Sequence, residues 1–597
     1  MAELVEEASV GEDADLDTQD NLEGIAEALG LESWHVLDWG NDEYARGCWS
    51  IPLVGYSPVH TKVLATPLSP RFALAGEHCS PRNSASVHGA AETGIKAGRA
   101  MADWSEPEGS EHVVLVGSGA AGISAAVELR KERPNARITI VEARQRLLGR
   151  VNTIVLGKGG GDGHQSVSFD DNALVDEEED DVRVDMGASW LHSCDDDNHL
   201  YGYCRENNIP LHDSDFDNCL GAAEDGKPCH GSHMMAGLLM CESRKTLRKV
   251  HRKRHGSVGS ELEGGMSNIS LWEEPEAEGT ETDTVTRDRA LSYVYDEAVE
   301  GMHVDVDIDM NLNDALRPWL SDCSPEERRM SALALRGVIG IDSGELFSKL
   351  SAHWLFEQPG PGYGDKFLGR GFASVFEGKI AGLKPIFKKG AEVFKPPPPG
   401  EVHVWLSTPV SEIDWSEEGG SHVLIKTSRG VLKADRCICT IPIEPLKQGS
   451  IEMLPPLPRG YQRAMATVGM SFVGKIALRF STRWWPTQPG EDRNILHWYG
   501  GACNFEDKRT LTGFTADDVL TIPWVEWLDT TDALGQPVLV GFTAGEEARR
   551  MRGNGPVPKS DRQVALEACR LLKTWAMAVD AMEASGHSAR APPPVQK

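Results

Sequence analysis

Residues 112–142 leave this chain few folds to choose from. The apolar, β-branched run His112–Val116 enters Gly117-Ser118-Gly119-Ala120-Ala121-Gly122, which opens a helical stretch from Ile123 to Lys131, and a second apolar run, Arg137–Val141, ends in Glu142. In such a turn the first glycine permits the tight bend, the second lets the backbone approach a diphosphate, and the third allows close packing of helix on strand. Glu142 follows Gly122 by 20 residues, where a carboxylate can accept from both hydroxyls of a ribose. Strand, glycines, helix, strand and acid in register predict a Rossmann-type dinucleotide-binding unit, and therefore an α/β fold.

With 597 residues and 40% hydrophobic composition, the chain can bury a large core and is expected to form two or more domains. The acidic stretch from Met1 to about Asn21 has neither a basic nor an apolar region, so it does not read as a secretory signal. No segment reaches the ~18 apolar residues of a membrane span. The twelve cysteines are scattered, with only Cys437 and Cys439 close together, which indicates neither a disulfide framework nor a zinc site. Asp195-Asp196-Asp197 with His199 reads as a solvated loop, so no metal is expected. The expected setting is intracellular and cytoplasmic. A net charge of −31 argues against nucleic acid as a partner and favours the approach of cations.

Further along, residues 157–182 and 215–285 read as insertions: Gly159 to Gly163 is nearly all glycine, Asp176 to Asp181 is all acidic, and Lys245 to Arg254 is basic. Such runs are solvated loops in the ordinary case. Strands are expected at Val402 to Leu406, Val423 to Thr427, Cys437 to Thr440, Lys475 to Phe480 and Val538 to Phe542. A long helix is expected from Asp561 to Met582, with Leu566, Cys569, Leu572 and Trp575 near one face. Pro396 to Pro399 reads as a spacer.

Several of these segments resemble the flavin amine oxidase family, which includes polyamine oxidases, monoamine oxidases and the oxidase domain of histone demethylases. Ala143-Arg144-Gln145-Arg146-Leu147-Leu148-Gly149-Arg150-Val151 looks like the family's second phosphate-proximal motif, with Leu148 where the first of two glycines is expected. Asp185-Met186-Gly187-Ala188-Ser189-Trp190-Leu191-His192 is similar to the flavin-contacting turn, and its Trp-Leu-His ending is closest to polyamine oxidases. Gly369-Arg370-Gly371-Phe372, Pro409-Val410 and Ala434 to Lys447 resemble the middle of the FAD domain, with Val410 at the adenine. Lys475 lies in register between Leu454-Pro455-Pro456-Leu457 and Trp484-Trp485-Pro486. It matches the family lysine that holds a water at flavin N5.

The parts that normally end such a chain stand here at its front. Trp39 to Ser50 resembles the Gly-aromatic turn and its lead-in. Phe72-Ala73-Leu74-Ala75-Gly76-Glu77-His78 resembles the Ala-Gly-Glu motif, and Ser86-Val87-His88-Gly89-Ala90 the opening of the helix at the flavin. The resemblance thus implies a circularly permuted order, joined through the seven residues Ser105 to Glu111, which span at most about 25 Å. The expected division is an acidic tail and short helix (1–35), an FAD-binding domain (36–192), a first part of an α+β substrate domain with insertions (193–362), the FAD-binding domain continued (363–450), and a second part of the substrate domain (451–590).

The resemblance implies FAD as cofactor and a polyamine-like amine and O2 as the small-molecule partners. Cofactor contacts fall on Gly117, Gly119, Ala121, Gly122, Glu142, Arg144, Arg150, Gly187, Ala188, Ser189, Trp190, Val410, Gly76, Glu77, Val87 and Ala90. Lys475, Trp49 and His192 are the expected catalytic residues, Trp49 being one of two aromatic faces that flank the substrate nitrogen. Ala91 holds the place of the other face, which is expected to widen the pocket, and Glu92 beside it is a candidate for a second ammonium. Cys48 falls where monoamine oxidases tether FAD. The rival readings are an oxidase of L-amino acids, which needs an arginine for the substrate carboxylate, and a flavin-binding scaffold or redox sensor without turnover. A histone demethylase role is not expected, because no separate chromatin-binding module precedes the oxidase motifs.

Overall fold

The computed structural model describes residues 19–103, 110–157, 164–167, 181–214, 220–223, 309–322, 332, 335–337, 339–355, 364–388, 394–416, 422–485, 495–499, 501–503, 515–521, 523–553 and 557–584. Most of the expected insertions, the basic run 245–254, all but Ser110 and Glu111 of the join, Pro486 and the final prolines lie outside the described residues.

The dinucleotide-binding unit forms as its sequence predicts. His112–Val116 and Arg137–Val141 are parallel neighbours joined by the helix Ala120–Glu132. They lie within a six-stranded, wholly parallel sheet, whose order is Ile386–Phe387, Val402–Trp405, Arg137–Val141, His112–Val116, Arg436–Cys439, Phe72–Leu74. Apart from the edge strand Ile386–Phe387, its strands are buried at every residue but Arg137, as expected of a parallel sheet covered on both faces, and for that reason they read as unbroken apolar runs rather than alternations. The edge strand Phe72–Leu74 comes from the N-terminal segment.

The helix that follows this edge strand, Val87–Asp103, packs on Ala120–Glu132 at close range. A Cβ added to Gly94 would lie 2.1 Å from the Ala121 carbonyl oxygen, and one at Gly98 would lie 2.9 Å from that of Ala125. Glycines four apart against alanines four apart let two backbones meet where larger residues would hold them off.

A second six-stranded sheet, mixed in direction, is ordered Leu31–Asp38, Val473–Phe480, Val538–Ala544, Glu526–Asp529, Ile495–Tyr499, Leu220–Ala223. The helix Asp561–Ala584 covers it, and Leu566, Cys569, Leu572 and Trp575 are buried as one face. They join Trp34, Trp484, Trp485, Trp524 and Trp527 in an indole-rich core. The expected division at residue 35/36 falls inside the strand Leu31–Asp38, which belongs to this second sheet by its pairing with Val473–Phe480. Backbone hydrogen bonding across the whole strand decided this, and no composition shift marks it. The short helix Gln19–Ala28 rests on Asp561–Ala584, where Glu23 pairs with Arg562. The segments 31–38, 72–74 and 87–103 therefore complete sheets and a helix pair with residues of the same chain.

Candidate functional site

A cavity of about 660 Å³ opens along the carboxyl ends of the parallel strands, the place where open α/β sheets bind ligands. Four of the six strands contribute the residues just after them: Gly117 to Ala121, Glu142 to Arg144, Thr440 to Pro442, and Gly76 with Glu77. The three glycines differ in the way their spacing predicts. Gly117 has φ +99°, and a Cβ there would lie 2.5 Å from Thr440 Oγ1. Gly119 faces open space, with no heavy atom within 4 Å of the point a Cβ would occupy. At Gly122 a Cβ would lie 2.2 Å from the Gly117 carbonyl oxygen, so this glycine packs helix on strand from behind the cavity and does not line it.

The charged lining is held by partners already in the chain. Glu142 accepts from Ser118 N and Oγ at 3.0 and 2.6 Å and from Arg144 N at 2.9 Å. Arg144 forms a two-pronged pair with Asp42 and lies over the rings of Trp39 and Tyr44. Burial pulls Arg144 down, but Asp42 outweighs it and the guanidinium is held above its usual value. Arg150 donates to Glu77 Oε1 at 2.8 Å and to the Cys48 carbonyl at 2.7 Å. The other Glu77 oxygen accepts from Ser50 N and Oγ and from Ala85 N. Burial pushes Glu77 up, but Arg150 and the hydrogen bonds keep it below the usual carboxylate range. Leu148 lines the cavity at φ +72°, keeping the left-handed backbone of the glycine it replaces, with its side chain buried in the core.

The donors present fit a dinucleotide. Of the three arginines in the lining, Arg144 and Arg150 are paired with carboxylates, while Arg46 has its Nε buried without a hydrogen-bond partner among the described residues. An unpaired cation in a cavity that two helices enter by their N-termini, Ala120–Glu132 and Val87–Asp103, suits a diphosphate. Arg46 is not among the residues that the resemblance marks as cofactor contacts. Its only sequence signal is its place directly before Gly47, at φ +52°, in the Gly-aromatic turn. Val410, Val87 and Ala90 line the same cavity.

Lys475, the third residue of the buried strand Val473–Phe480, lines the same cavity. Its Nζ donates to the Gly187 carbonyl at 2.6 Å, Ser189 Oγ at 2.6 Å and the Asp185 carbonyl at 3.2 Å, and lies 4.8 Å from the Phe542 ring. Burial lowers the lysine from its usual value, with Asp185 opposing, and burial likewise raises Asp185. Trp49 lines the cavity, its indole donating to the Asp342 carbonyl at 3.2 Å. Beside it the Cys48 thiol donates to the Val473 carbonyl and is pushed by burial to about 12.

Four of the expected contacts take other places. Gly122, Ser189, Trp190 and His192 do not line the cavity, whereas Gly117, Gly119, Ala121, Glu142, Arg144, Arg150, Gly187, Ala188, Val410, Gly76, Glu77, Val87, Ala90, Trp49 and Lys475 do. Ser189 holds Lys475 from behind, and Trp190 packs on Phe542 with ring centroids 5.6 Å apart. His192 stands at the end of the same turn, its Nδ1 2.7 Å from Asp365. The widening expected at Ala91 does not occur, because its methyl is wholly buried in the helix-pair core while Ala90 faces the cavity. Glu92 accepts from Asn83 at 3.0 Å. The glycine motif and the resemblance place these residues on their elements, but packing settles which face of a turn or helix meets the cavity.

A cavity at the carboxyl ends of a parallel sheet, lined by a glycine turn and the N-termini of two helices, is that of a nucleotide-binding protein of the Rossmann type. Its family is particular. The profile of flavin containing amine oxidoreductases matches residues 21–102 and 120–588, and the chain belongs to that family. It is similar to lysine-specific histone demethylase 1 homolog 2 of Arabidopsis thaliana, 24% identical over 75% of this chain and 46% of that protein. Its match to homolog 1 of the same plant is 26% identical over 26% of this chain and 16% of that protein. It thus spans less than half the length of these two relatives. Polyamine oxidase 4 of Oryza sativa subsp. japonica is 22% identical over 74% of this chain and 68% of that protein.

Proposed function

We propose that the chain is an FAD-dependent amine oxidase acting on a polyamine-like amine, with O2 as the second substrate and the N-terminal segment completing its own chain's flavin site in permuted order. The observation that carries the reading is Lys475, a buried cation fixed by the turn 185–189 in the lining of the same cavity as the glycine turn. When bound, FAD accepts a hydride from the carbon beside the amine nitrogen and passes two electrons to oxygen, giving hydrogen peroxide. The chain's part is to position and exclude. Arg46, the glycine turn and the two helix termini hold the diphosphate, and Glu142 and Val410 take the ribose and adenine. Lys475, its three N–H groups taken up by the turn 185–189, fixes that turn beside the cavity rather than holding a water, and Trp49 presents an aromatic face to the nitrogen. The permuted order is supported by Gln19–Ala28 and Leu31–Asp38 lying against the last long helix, and by Phe72–Leu74 completing the parallel sheet beside Arg436–Cys439.

A second reading follows from the relatives named as histone demethylases: the amine is a methylated lysine side chain of a peptide. One experiment tests both. The gel-filtered chain is examined for a flavin band, then mixed without oxygen with spermine, spermidine, N-acetylated polyamine or a methyl-lysine peptide. Bleaching by a polyamine supports the first reading and bleaching by the peptide alone the second. A flavin band that none of them bleaches leaves a scaffold without turnover, and a colourless protein that takes up no added FAD refutes the flavin site.

A further inference from the structure

The turn that carries Arg46 is closed by its own backbone. Gly47 N donates to the Trp39 carbonyl at 2.8 Å across the base, and Arg46 N donates to the Asp42 carbonyl at 2.9 Å within it. Asp42 Oδ1 accepts from Tyr44 N at 3.0 Å and from Ala45 N at 2.8 Å, the way a short acidic side chain caps a bend. The base is fixed to the body of the protein. The Trp39 indole donates to the Met186 carbonyl at 3.0 Å, and Cys48 N donates to the Ser471 carbonyl at 2.9 Å.

Between these ends, the hydrogen bonds that tie residues 40–46 to anything outside 38–47 are, among the described residues, those of Asp42 with Arg144. Arg144 Nη1 and Nη2 donate to the two Asp42 oxygens at 2.7 and 2.5 Å. The guanidinium carbon lies 5.8 Å from the centre of the Trp39 ring and 5.4 Å from that of Tyr44. The two side chains are 15% and 16% exposed, so a two-pronged, charge-assisted contact is little weakened by water. Burial pushes Asp42 up, but Arg144 and the amides of Tyr44 and Ala45 outweigh it and hold the carboxylate below its usual range. Trp39, Glu43, Tyr44, Ala45 and Arg46 all line the cavity, so whatever fixes this stretch fixes part of the cavity wall.

We propose that Asp42 is a positioning residue for the cofactor: its fork with Arg144 moors the turn 40–46 so that Arg46 stands against a diphosphate. This rests on the flavin site of the reading above and not on the identity of the amine. Arg144, with two nitrogens on Asp42, serves the turn, and Arg46 meets the ligand. The sign of the effect separates this role from a purely electrostatic one. A carboxylate beside a diphosphate site repels the ligand, so on charge alone its removal tightens FAD binding. Removal of a mooring loosens it.

The test compares the full wild-type chain with Asp42→Asn, Arg46→Ala and the double variant, by fluorescence titration with FAD and by the melting temperature of each apoprotein. Asparagine keeps an oxygen for the Tyr44 and Ala45 amides but carries no charge to balance the guanidinium, so the bend survives and the mooring is lost. Asp42→Asn is expected to weaken FAD binding about tenfold while the apoprotein melts within about 3 °C of the wild type. Because both residues act through one contact, the double variant binds at most about twofold more weakly than Arg46→Ala alone, whereas independent losses multiply to about a hundredfold. Asp42→Asn binding FAD as tightly as the wild type, or more tightly, overturns the proposal, as does a double variant whose loss is the product of the two single ones. A loss accompanied by an apoprotein that melts far below the wild type makes Asp42 a residue of the fold alone and overturns it too. Failure of the underlying reading looks different: a wild-type chain that takes up no FAD refutes the flavin site and the mooring together.

Discussion

Gly119 and Gly122 stand three residues apart in one turn and predict opposite consequences for the same added methyl group. At position 122 an alanine Cβ would lie 2.2 Å from the Gly117 carbonyl oxygen and 3.1 Å from its carbon. Ordinary contact needs about 3.5 Å, so the helix Ala120–Glu132 must withdraw from the strand by about 1 Å, breaking the fit of a fully packed interface. Overpacking of that size costs about 1–3 kcal/mol, which in a domain of this kind lowers the apoprotein melting temperature by about 2–12 °C. At position 119 the Cβ meets no heavy atom within 4 Å, and the backbone, at φ −65° and ψ −176°, suits alanine. Gly119→Ala therefore leaves apoprotein stability unchanged or raises it by about 0.4–1 kcal/mol. It fills the space through which a diphosphate reaches the backbone, so FAD affinity falls at least about tenfold, or about 1.4 kcal/mol. Differential scanning fluorimetry of the apoproteins with a fluorescence titration of FAD reads both quantities. Gly119→Ala binding FAD like the wild type, or melting as early as Gly122→Ala, refutes the assignment of the two glycines.

Arg46→Ala, which removes the one lining arginine with no carboxylate partner among the described residues, weakens FAD binding about tenfold in the same titration and leaves the apoprotein melting temperature within about 2 °C. Lys475→Met retains bound flavin but slows the oxidase reaction by about 10² or more, measured by stopped-flow reduction and reoxidation. Because the folded protein holds Lys475 below its unfolded value, the unfolded chain binds more protons over the alkaline range just under about 10.4, so this lysine makes stability rise with pH there. Urea melts of Lys475→Met lack that rise. The Cys48 thiol donates to the Val473 carbonyl and burial raises it to about 12, which disfavours the thiolate that would tether the cofactor. Heat denaturation should therefore release all the flavin into the supernatant, and flavin retained on the Cys48 peptide would contradict this.

The sequence by itself determined the parallel sheet and its glycine turn, because unbroken apolar runs, glycines and an acid at fixed spacing are local properties of strand and turn. It also determined Lys475 as a candidate, through its register between family-like segments, and the long helix, whose buried face is periodic. Tertiary structure decided what depends on contacts between distant segments. It put Leu31–Asp38 across an expected boundary into the second sheet, since a strand belongs where its hydrogen bonds are met. It turned Ala91 into the core and Ala90 to the cavity, because the close approach of Gly94 and Gly98 to Ala121 and Ala125 fixes how that helix is rotated. It tied Arg144 to Asp42 and Arg150 to Glu77 across more than seventy residues of chain, leaving Arg46 as the arginine open to a diphosphate. It also joined His192 to Asp365 over 173 positions, a pairing that no local pattern marks, because a buried carboxylate chooses its partner by where packing places it.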